Sequence, residues 1–306
     1  MEQRTILVTG GSGFIGSHFC HSAVAQDNNV FVLSRNPRKC GHLPKQVHCV
    51  ARLADIPREI NFDMVLNLAG EPLFNGRWSD SKKERFYESR VGITERLFNF
   101  FSKRNRFPEL MVSGSAVGYY GPNANEILDE TSSFHDSFGH QLCRDWEKSA
   151  EAFESHGTRV CMLRTGLVMG RGGGMLAPLL PLFRFGLGGR MGDGEQWMSW
   201  IHIDDLQGII FHLAQHPTLQ GPVNATAPNP VTNREFTSTL AQTLNRPAFF
   251  HLPGYLLHSL LGEMGREMTV SQRVIPQKAL DSGYQFSFPY LESALKNIIK
   301  GSGDSG

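Results

Sequence analysis

The stretch TGGSGFIGS, residues 9–17, constrains this chain more than any other. It follows the apolar run Ile6-Leu7-Val8 and leads into Phe14, Ile15, Phe19 and Val24, whose spacing predicts a helix. Strand, glycine-rich turn and helix in that order bring bare backbone close to whatever lies at the turn. The free N–H groups and dipole of the helix then point at negative charge, which suits a pyrophosphate. Gly10, Gly13 and Gly16 allow the approach, and Ser12, Phe14 and Ile15 complete the candidate cradle.

The alternation of apolar runs and helical stretches continues to about residue 170. Candidate strands are Thr5–Thr9, Val30–Leu33, Met64–Leu68, Leu110–Ser113 and Val160–Leu163. They are apolar nearly throughout, as strands covered on both faces are. The helical segments between them predict a Rossmann-type, doubly wound parallel α/β sheet. Ser81-x-x-Glu84 predicts a capping box, opening a helix that shows Phe86, Ile93, Leu97 and Phe100 to the core. From Arg171 the texture changes to glycine-rich loops, RGGGM and FGLGGRMGDGE. A helix near 204–215 opening at Asp204, a strand at Val223–Ala225, a helix near 233–244 and two final helices follow. The expected division is a dinucleotide-binding domain, 1–170, and a smaller α/β lobe, 171–300, over the sheet's C-terminal edge. Residues near 200–226 are expected to pack back on the first domain, and the tail GSGDSG, 301–306, to fray.

With 306 residues, 40% of them hydrophobic, the chain can bury a large core. A net charge of +1 gives no general attraction to nucleic acid or anionic membrane. No apolar run reaches the length of a membrane span, and MEQRTILVTG enters a strand too soon for a signal peptide. Cys20, Cys40, Cys49, Cys143 and Cys161 are scattered and never spaced CxxC. That argues against disulfides and a metal site, and for a reducing cytoplasm. The expected partner is a small molecule, and the expected state a monomer or homodimer.

The second strand separates the two nicotinamide dinucleotides. An NAD site usually has Asp or Glu about 20 residues beyond the glycines, holding the ribose 2′-hydroxyl. This strand ends Leu33-Ser34-Arg35-Asn36-Pro37-Arg38-Lys39, and no acid occurs from Val30 to Lys45. Ser34, Arg35, Arg38 and Lys39 suit a 2′-phosphate instead, so NADP(H) is the expected cofactor. A solvated basic loop is the competing explanation.

With these residues in place, the chain resembles the extended short-chain dehydrogenase/reductase superfamily. More narrowly it is similar to the atypical YfcH-type epimerase family proteins, whose C-terminal segment is a domain of unknown function. The resemblance rests on GGSGFIG (10–16), NLAGEP (67–72), SGSAVGYYG (113–121), CRDWE (143–147) and LRTGLVMG (163–170). It continues through QWMSWIHIDDL (196–206), NATAPNPVTNREF (224–236) and VIPQKALDSGYQFSFP (274–289). It implies a pyrophosphate at Gly10, Gly13 and Gly16 and a 2′-phosphate at Ser34 and Arg35. Leu68, Ala69 and Gly70, with Glu71 beside them, would run along the adenosine, and Val168 would lie near the nicotinamide. Leu68 and Val168 would also serve as ordinary strand core.

Ordinary members of that superfamily use Tyr-x-x-x-Lys, in which lysine lowers the pKa of a phenol. No tyrosine here has lysine four residues on. The family pattern puts Cys143 at the lysine position and Gly139 at the tyrosine position, and a gap of three would put Trp146 and Leu142 there. As a nucleophile Cys143 would need a lowered pKa, for which Arg144 is the neighbouring cation; otherwise it is a small buried residue. Ser115 matches the superfamily's catalytic serine, with a satisfied strand-end serine as the alternative. Tyr119 and Tyr120 are candidate proton donors of ordinary pKa. Arg90 falls between Phe86 and Ile93 on an apolar stripe, so it must snorkel or meet an anion of cofactor or substrate. Trp197 and Trp200 flank His202, which either lines a pocket or braces the following helix. Two functions stay open: an NADP(H)-dependent oxidoreductase or epimerase-like enzyme on a small, nucleotide-sugar-like substrate, and a catalytically silent NADPH sensor.

Overall fold

A computed structural model describes residues 3–301; the tail beyond Gly301 lies outside them. Seven parallel strands build the central sheet: β1 (Thr5–Thr9), β2 (Asn29–Leu33), β3 (His48–Val50), β4 (Met64–Asn67), β5 (Leu110–Ala116), β6 (Arg159–Thr165) and β7 (Gly221–Ala225). Their order is β7-β6-β5-β4-β1-β2-β3. It reverses between β1 and β4, and the C-terminal ends of those two strands frame the crevice where such sheets take ligands.

The helices are α1 (Phe14–Ala25), α2 (Asp80–Tyr87), α3 (Ile93–Arg104), α4 (Phe138–Glu151), α5 (Leu176–Arg184) and α6 (Ile203–Gln215). The remainder are α7 (Asn233–Leu244), α8 (Gly254–Leu261), α9 (Glu263–Glu267), α10 (Gln277–Asp281) and α11 (Leu291–Lys300). Alternation along the strands sorts the core into two layers. Ile6, Val8 and Leu66 pack with Phe19 of α1 and Ile209 and Ile210 of α6. Leu7, Val65 and Met111 pack with Leu97 and Phe101 of α3 and Ala150 of α4. A separate apolar cluster holds the second lobe together, with Trp200, Phe236, Leu240 and Leu295 at its centre.

Several local expectations are corrected. β3 was not foreseen, whereas the strand expected at Val223–Ala225 forms, as β7, and pairs with β6 at the edge of the central sheet. The cap of α2 is Ser79, whose Oγ accepts from the Lys82 N–H at 3.4 Å, and Ser81 lies inside the helix. A π-helical turn, Glu88–Gly92, separates α2 from α3 and adds a residue to the period. Phe101, four residues after Leu97, is buried in the core, and Phe100 packs half-buried against it. His202 caps α6, its Nδ1 accepting from the Asp204 N–H at 3.1 Å, so the helix opens at Ile203. Trp200 is wholly buried core, while half-buried Trp197 donates from Nε1 to Asn125. After α7 the chain forms four short helices where two were expected.

Among the described residues no helix is long and apolar enough to cross a membrane, and no His/Cys/Asp/Glu cluster could hold a metal. All five cysteines are free.

Candidate functional site

Three backbones meet at the end of β1. Gly10 has φ +70°, and a Cβ there would stand 2.6 Å from the Leu68 carbonyl oxygen. A Cβ on Gly16 would collide with the Gly10 carbonyl, so α1 closes on the turn only with glycine. Thr9 Oγ1 donates to Asn67 Oδ1 at 2.6 Å and accepts from the Ala69 N–H at 3.1 Å, tying β1 to the exit of β4. The N-cap of α1 is Gly13, with no side-chain capping bond, which leaves the first-turn N–H groups for an anion.

From this turn a groove of about 1480 Å³ runs along the C-terminal ends of β1, β2 and β4. Ser12, Gly13, Ser34, Arg35, Leu68, Ala69, Gly70 and Glu71 all line it. Eight cations (Arg35, Lys39, Arg52, Arg58, Arg85, Arg96, Lys103, Arg104) face two carboxylates, Glu71 and Glu88. Such a surplus favours a polyanion. Arg38 does not line the groove; Lys39 does, joined by Arg52 and Arg58 from the connection after β3. Those two arginines were missed because β3 itself was missed. Arg35 is exposed and reaches Glu71 Oε1 at 3.3 Å, with Arg85 3.7 Å from the other oxygen. Ser34 Oγ donates to the Asn36 carbonyl at 3.1 Å and so shapes its own loop.

Phe14, Ile15, Gly16, Arg90 and Val168, also predicted for the cofactor, do not line the groove. The Phe14 ring fills the space where a Cβ on Gly170, Gly173 or Gly174 would go. Ile15 packs into the core, and its carbonyl accepts from Gln207 Nε2 at 3.2 Å. Val168 is buried in the same core, and its carbonyl accepts from the Met175 N–H. Phe14 and Ile15 can thus offer backbone only.

Arg90 neither snorkels nor meets a carboxylate within ion-pairing distance among the described residues. It sits in the π turn, with Nη2 donating to the Glu71 carbonyl at 3.0 Å and Nη1 to the Phe86 carbonyl at 3.4 Å. Its guanidinium lies behind Gly70, where a Cβ would come within 2.9 Å of it, and 5.3 Å from the Trp146 ring. Burial pulls its pKa below the ordinary arginine range. The cation therefore shapes the 68–72 wall from behind.

Beyond β4 the next strand end, β5, carries the catalytic candidates. Ser115 Oγ donates to Glu147 Oε1 at 2.6 Å. Glu147 holds Arg164 in a two-pronged pair, Nε to Oε1 and Nη2 to Oε2, both 2.9 Å. Arg164 Nη1 donates to the Tyr120 hydroxyl at 3.2 Å, which donates to Asn224 Oδ1 at 2.7 Å. The whole chain of bonds is buried. Burial alone would lower the Arg164 pKa, but the Glu147 carboxylate holds it above the ordinary value. Burial pushes the Tyr120 phenol up to about 12. Tyr119 is half-buried, its ring 3.4 Å under the Arg164 guanidinium, and its hydroxyl makes no hydrogen bond among the described residues.

The Cys143 thiol lies against Ser115 and Ala116, where burial and then the Glu147 charge push it up to about 11. Arg144, the neighbour expected to lower it, points outward to Asp145 at 2.9 Å. Glu147 and Arg164 were missed by sequence reasoning. The available signal was a glutamate on the apolar face of α4, beside Cys143, Trp146 and Ala150, and an arginine inside the apolar run VCMLRT.

Comparison with known proteins adds the decisive match. The model of the "NAD dependent epimerase/dehydratase family" matches residues 6–225. The chain belongs to that family. A second model, a domain of unknown function (DUF1731), matches residues 252–298, which include α8 to α10 and most of α11. Among epimerase/dehydratase relatives, "Epimerase family protein YfhF" of Bacillus subtilis is 34% identical over 96% of this chain and 97% of its own. The Arabidopsis thaliana chloroplastic SDR39U1 homolog is 34% identical over 98% of this chain and 88% of its own. Human epimerase family protein SDR39U1, solved with NADPH, superposes with TM-score 0.84 at 33% identity, covering 97% of this chain and 99% of that one. A nucleoside-diphosphate sugar epimerase from Corynebacterium glutamicum gives TM-score 0.77 at 30% identity, covering 97% of this chain and 58% of its own.

Proposed function

We propose that this epimerase/dehydratase family member binds NADP(H) in the groove and acts as an oxidoreductase or epimerase-like enzyme on a small, nucleotide-sugar-like substrate. One observation carries the cofactor choice: Arg35, Lys39, Arg52 and Arg58 line the end of the groove beside β2, and no carboxylate leaves that strand. A ribose 2′-hydroxyl would be matched by an acid there, a 2′-phosphate by cations. The glycine cradle fits the group, since glycine at 10 and 16 lets β4 and α1 close on the turn and no side chain caps the first-turn N–H groups of α1. NADPH in the human relative and the sugar-nucleotide name of the Corynebacterium relative support the same reading. Five free cysteines suit a reducing compartment such as the cytoplasm.

The bound cofactor would give or take hydride. The chain's own part is to hold the pyrophosphate on the first-turn N–H groups of α1 and the 2′-phosphate on Arg35 and Lys39. The rest of the ligand then extends past Gly70 toward the end of β5. Fluorescence titration should show NADPH favoured over NADH about 10–100-fold, with Arg35→Asp losing most of that preference. Equal affinities in the wild type would overturn the proposal.

A second reading, a redox sensor without turnover, is favoured by the commitment of Ser115 and Tyr120 to buried partners. Single-turnover NADPH oxidation against pooled carbonyl compounds separates the two. Oxidation supports the enzyme, and tight binding without oxidation supports the sensor.

A further inference from the structure

The second lobe sends one acidic side chain back to the sheet edge. α9 lies over the start of α4, and its Glu267 carboxyl rests on the space that Gly139 leaves open beside the Gly118 backbone. A Cβ on Gly139 would stand 3.3 Å from Glu267 Oε1, 3.5 Å from Oε2 and 3.6 Å from the Gly118 carbonyl. A Cβ on Gly118 would stand 3.9 Å from Gly139 and 3.8 Å from Cys143 Sγ. Ser137 Oγ already caps α4 by accepting from the His140 N–H, so the Gly139 N–H is left for the carboxylate. A second contact fixes the approach: Glu263, one turn earlier, pairs with Lys83 of α2 at 2.5 Å. No cation pairs with Glu267 itself within 4 Å among the described residues.

Its position follows from the sheet. The cradle lies at β1 and the cationic end of the groove at β2. A dinucleotide crossing the switch point must therefore extend its other half the opposite way, past β4 to the end of β5. Gly118, Gly139 and Cys143 surround that end, with Glu267 above them.

We propose that Glu267, contributed by the DUF1731 segment, is the group that exchanges a proton beside the nicotinamide end of the bound cofactor; this rests on the NADP(H) reading above. In carbonyl reduction, the carbon receives hydride from the reduced cofactor and the C=O π bond opens. The oxygen takes the carboxyl proton and becomes hydroxyl, and the carboxylate left behind regains a proton from water. Burial supports the assignment by raising the Glu267 pKa, the Glu263 charge adds to it, and the Gly139 N–H opposes it. The other charged or titratable groups around it are Lys83 on α2, neutralised by Glu263, and Arg77, 3.6 Å from a Cβ on Gly262. On α4 they are Cys143 and His140, whose Nδ1 meets the Tyr119 carbonyl.

NADPH and NADP⁺ differ by one positive charge, on the ring. A carboxyl facing that ring must feel the difference, and a mere latch on α4 does not. The 2′-phosphate titrates in both ligands and cancels in their ratio. Kd(NADP⁺)/Kd(NADPH), measured from about pH 5 to 8, should fall about tenfold as Glu267 ionises. In Glu267→Gln, whose amide oxygen can still accept from Gly139, the ratio should be flat and the melting temperature unchanged. A flat ratio in the wild type, or an unchanged slope in the variant, overturns the assignment. Should Glu267→Gln not fold, Gly139→Ala replaces it: the methyl crowds the carboxyl and should move the midpoint to higher pH, and an unmoved midpoint overturns the proposal. Wild-type protein that binds neither dinucleotide overturns the underlying reading instead.

Discussion

Arg164 and Glu147 are 4% and 6% exposed, so each charge depends on the other in place of water. Removing one partner strands a buried charge, whereas replacing both with groups of similar shape need not cost much. Glu147→Gln is therefore expected to lower unfolding free energy by about 3–5 kcal/mol in urea denaturation. Glu147→Gln with Arg164→Met should recover a large part of it. A double variant as unstable as the two losses summed would show that the pair does not act as a unit. Each member was legible alone as a polar residue at an apolar position. Their pairing was not, because a helix residue and a strand residue 17 apart meet only after β6 has docked.

Elements were legible in proportion to how far local pattern decides them. The apolar runs of β1, β4, β5 and β6 and the glycine turn determine themselves, since few other conformations satisfy them. The start of α2 was misplaced because Ser79 and Ser81 are equally good caps in isolation, and tertiary packing selects the earlier one. The π turn at Glu88–Gly92 has no sequence signature at all. The cap of α6 carries a pH dependence. Burial lowers the pKa of His202 against the opposing charges of Asp204 and Asp205. Its Nδ1 must stay unprotonated to accept from the Asp204 N–H. A depressed folded pKa means the stability is present above the ordinary histidine value and is lost as pH falls below it. Between about pH 7.5 and 5.5 the wild type should lose roughly 1 kcal/mol more than His202→Asn, a cap that does not titrate. Equal slopes in urea melts at the two pH values would refute this.

At the scale of the molecule, the two lobes are fastened through Asp205. Its carboxylate, wholly buried, accepts from the Ser287 N–H at 2.7 Å and the Phe288 N–H at 2.9 Å, and the Tyr284 hydroxyl donates to its carbonyl. Asp205→Ala leaves both backbone donors unsatisfied, a cost of about 2–5 kcal/mol. Hydrogen exchange should show protection lost in residues 284–298 while β1 and β4 keep theirs. Uniform loss across the sheet would mean that the fastening supports the whole fold. The second lobe was legible as helices and glycine loops, and a return near 200–226 was expected, but the approach of Glu267 to α4 was not, because Glu267 lies in EMGRE, which reads locally as an exposed helix.

The place of β7 in the chain bears on how the protein is made. β6 ends at Thr165, yet its outer neighbour is not complete until Ala225, after the chain has made α5 and α6 and returned. On the ribosome, at about 5–20 residues per second, the nascent sheet therefore waits several seconds with the edge of β6 uncovered. An open strand edge is a template for pairing with other chains, and this one is apolar. The interval between those two strands is the period in which the newborn polypeptide most needs a chaperone's cover.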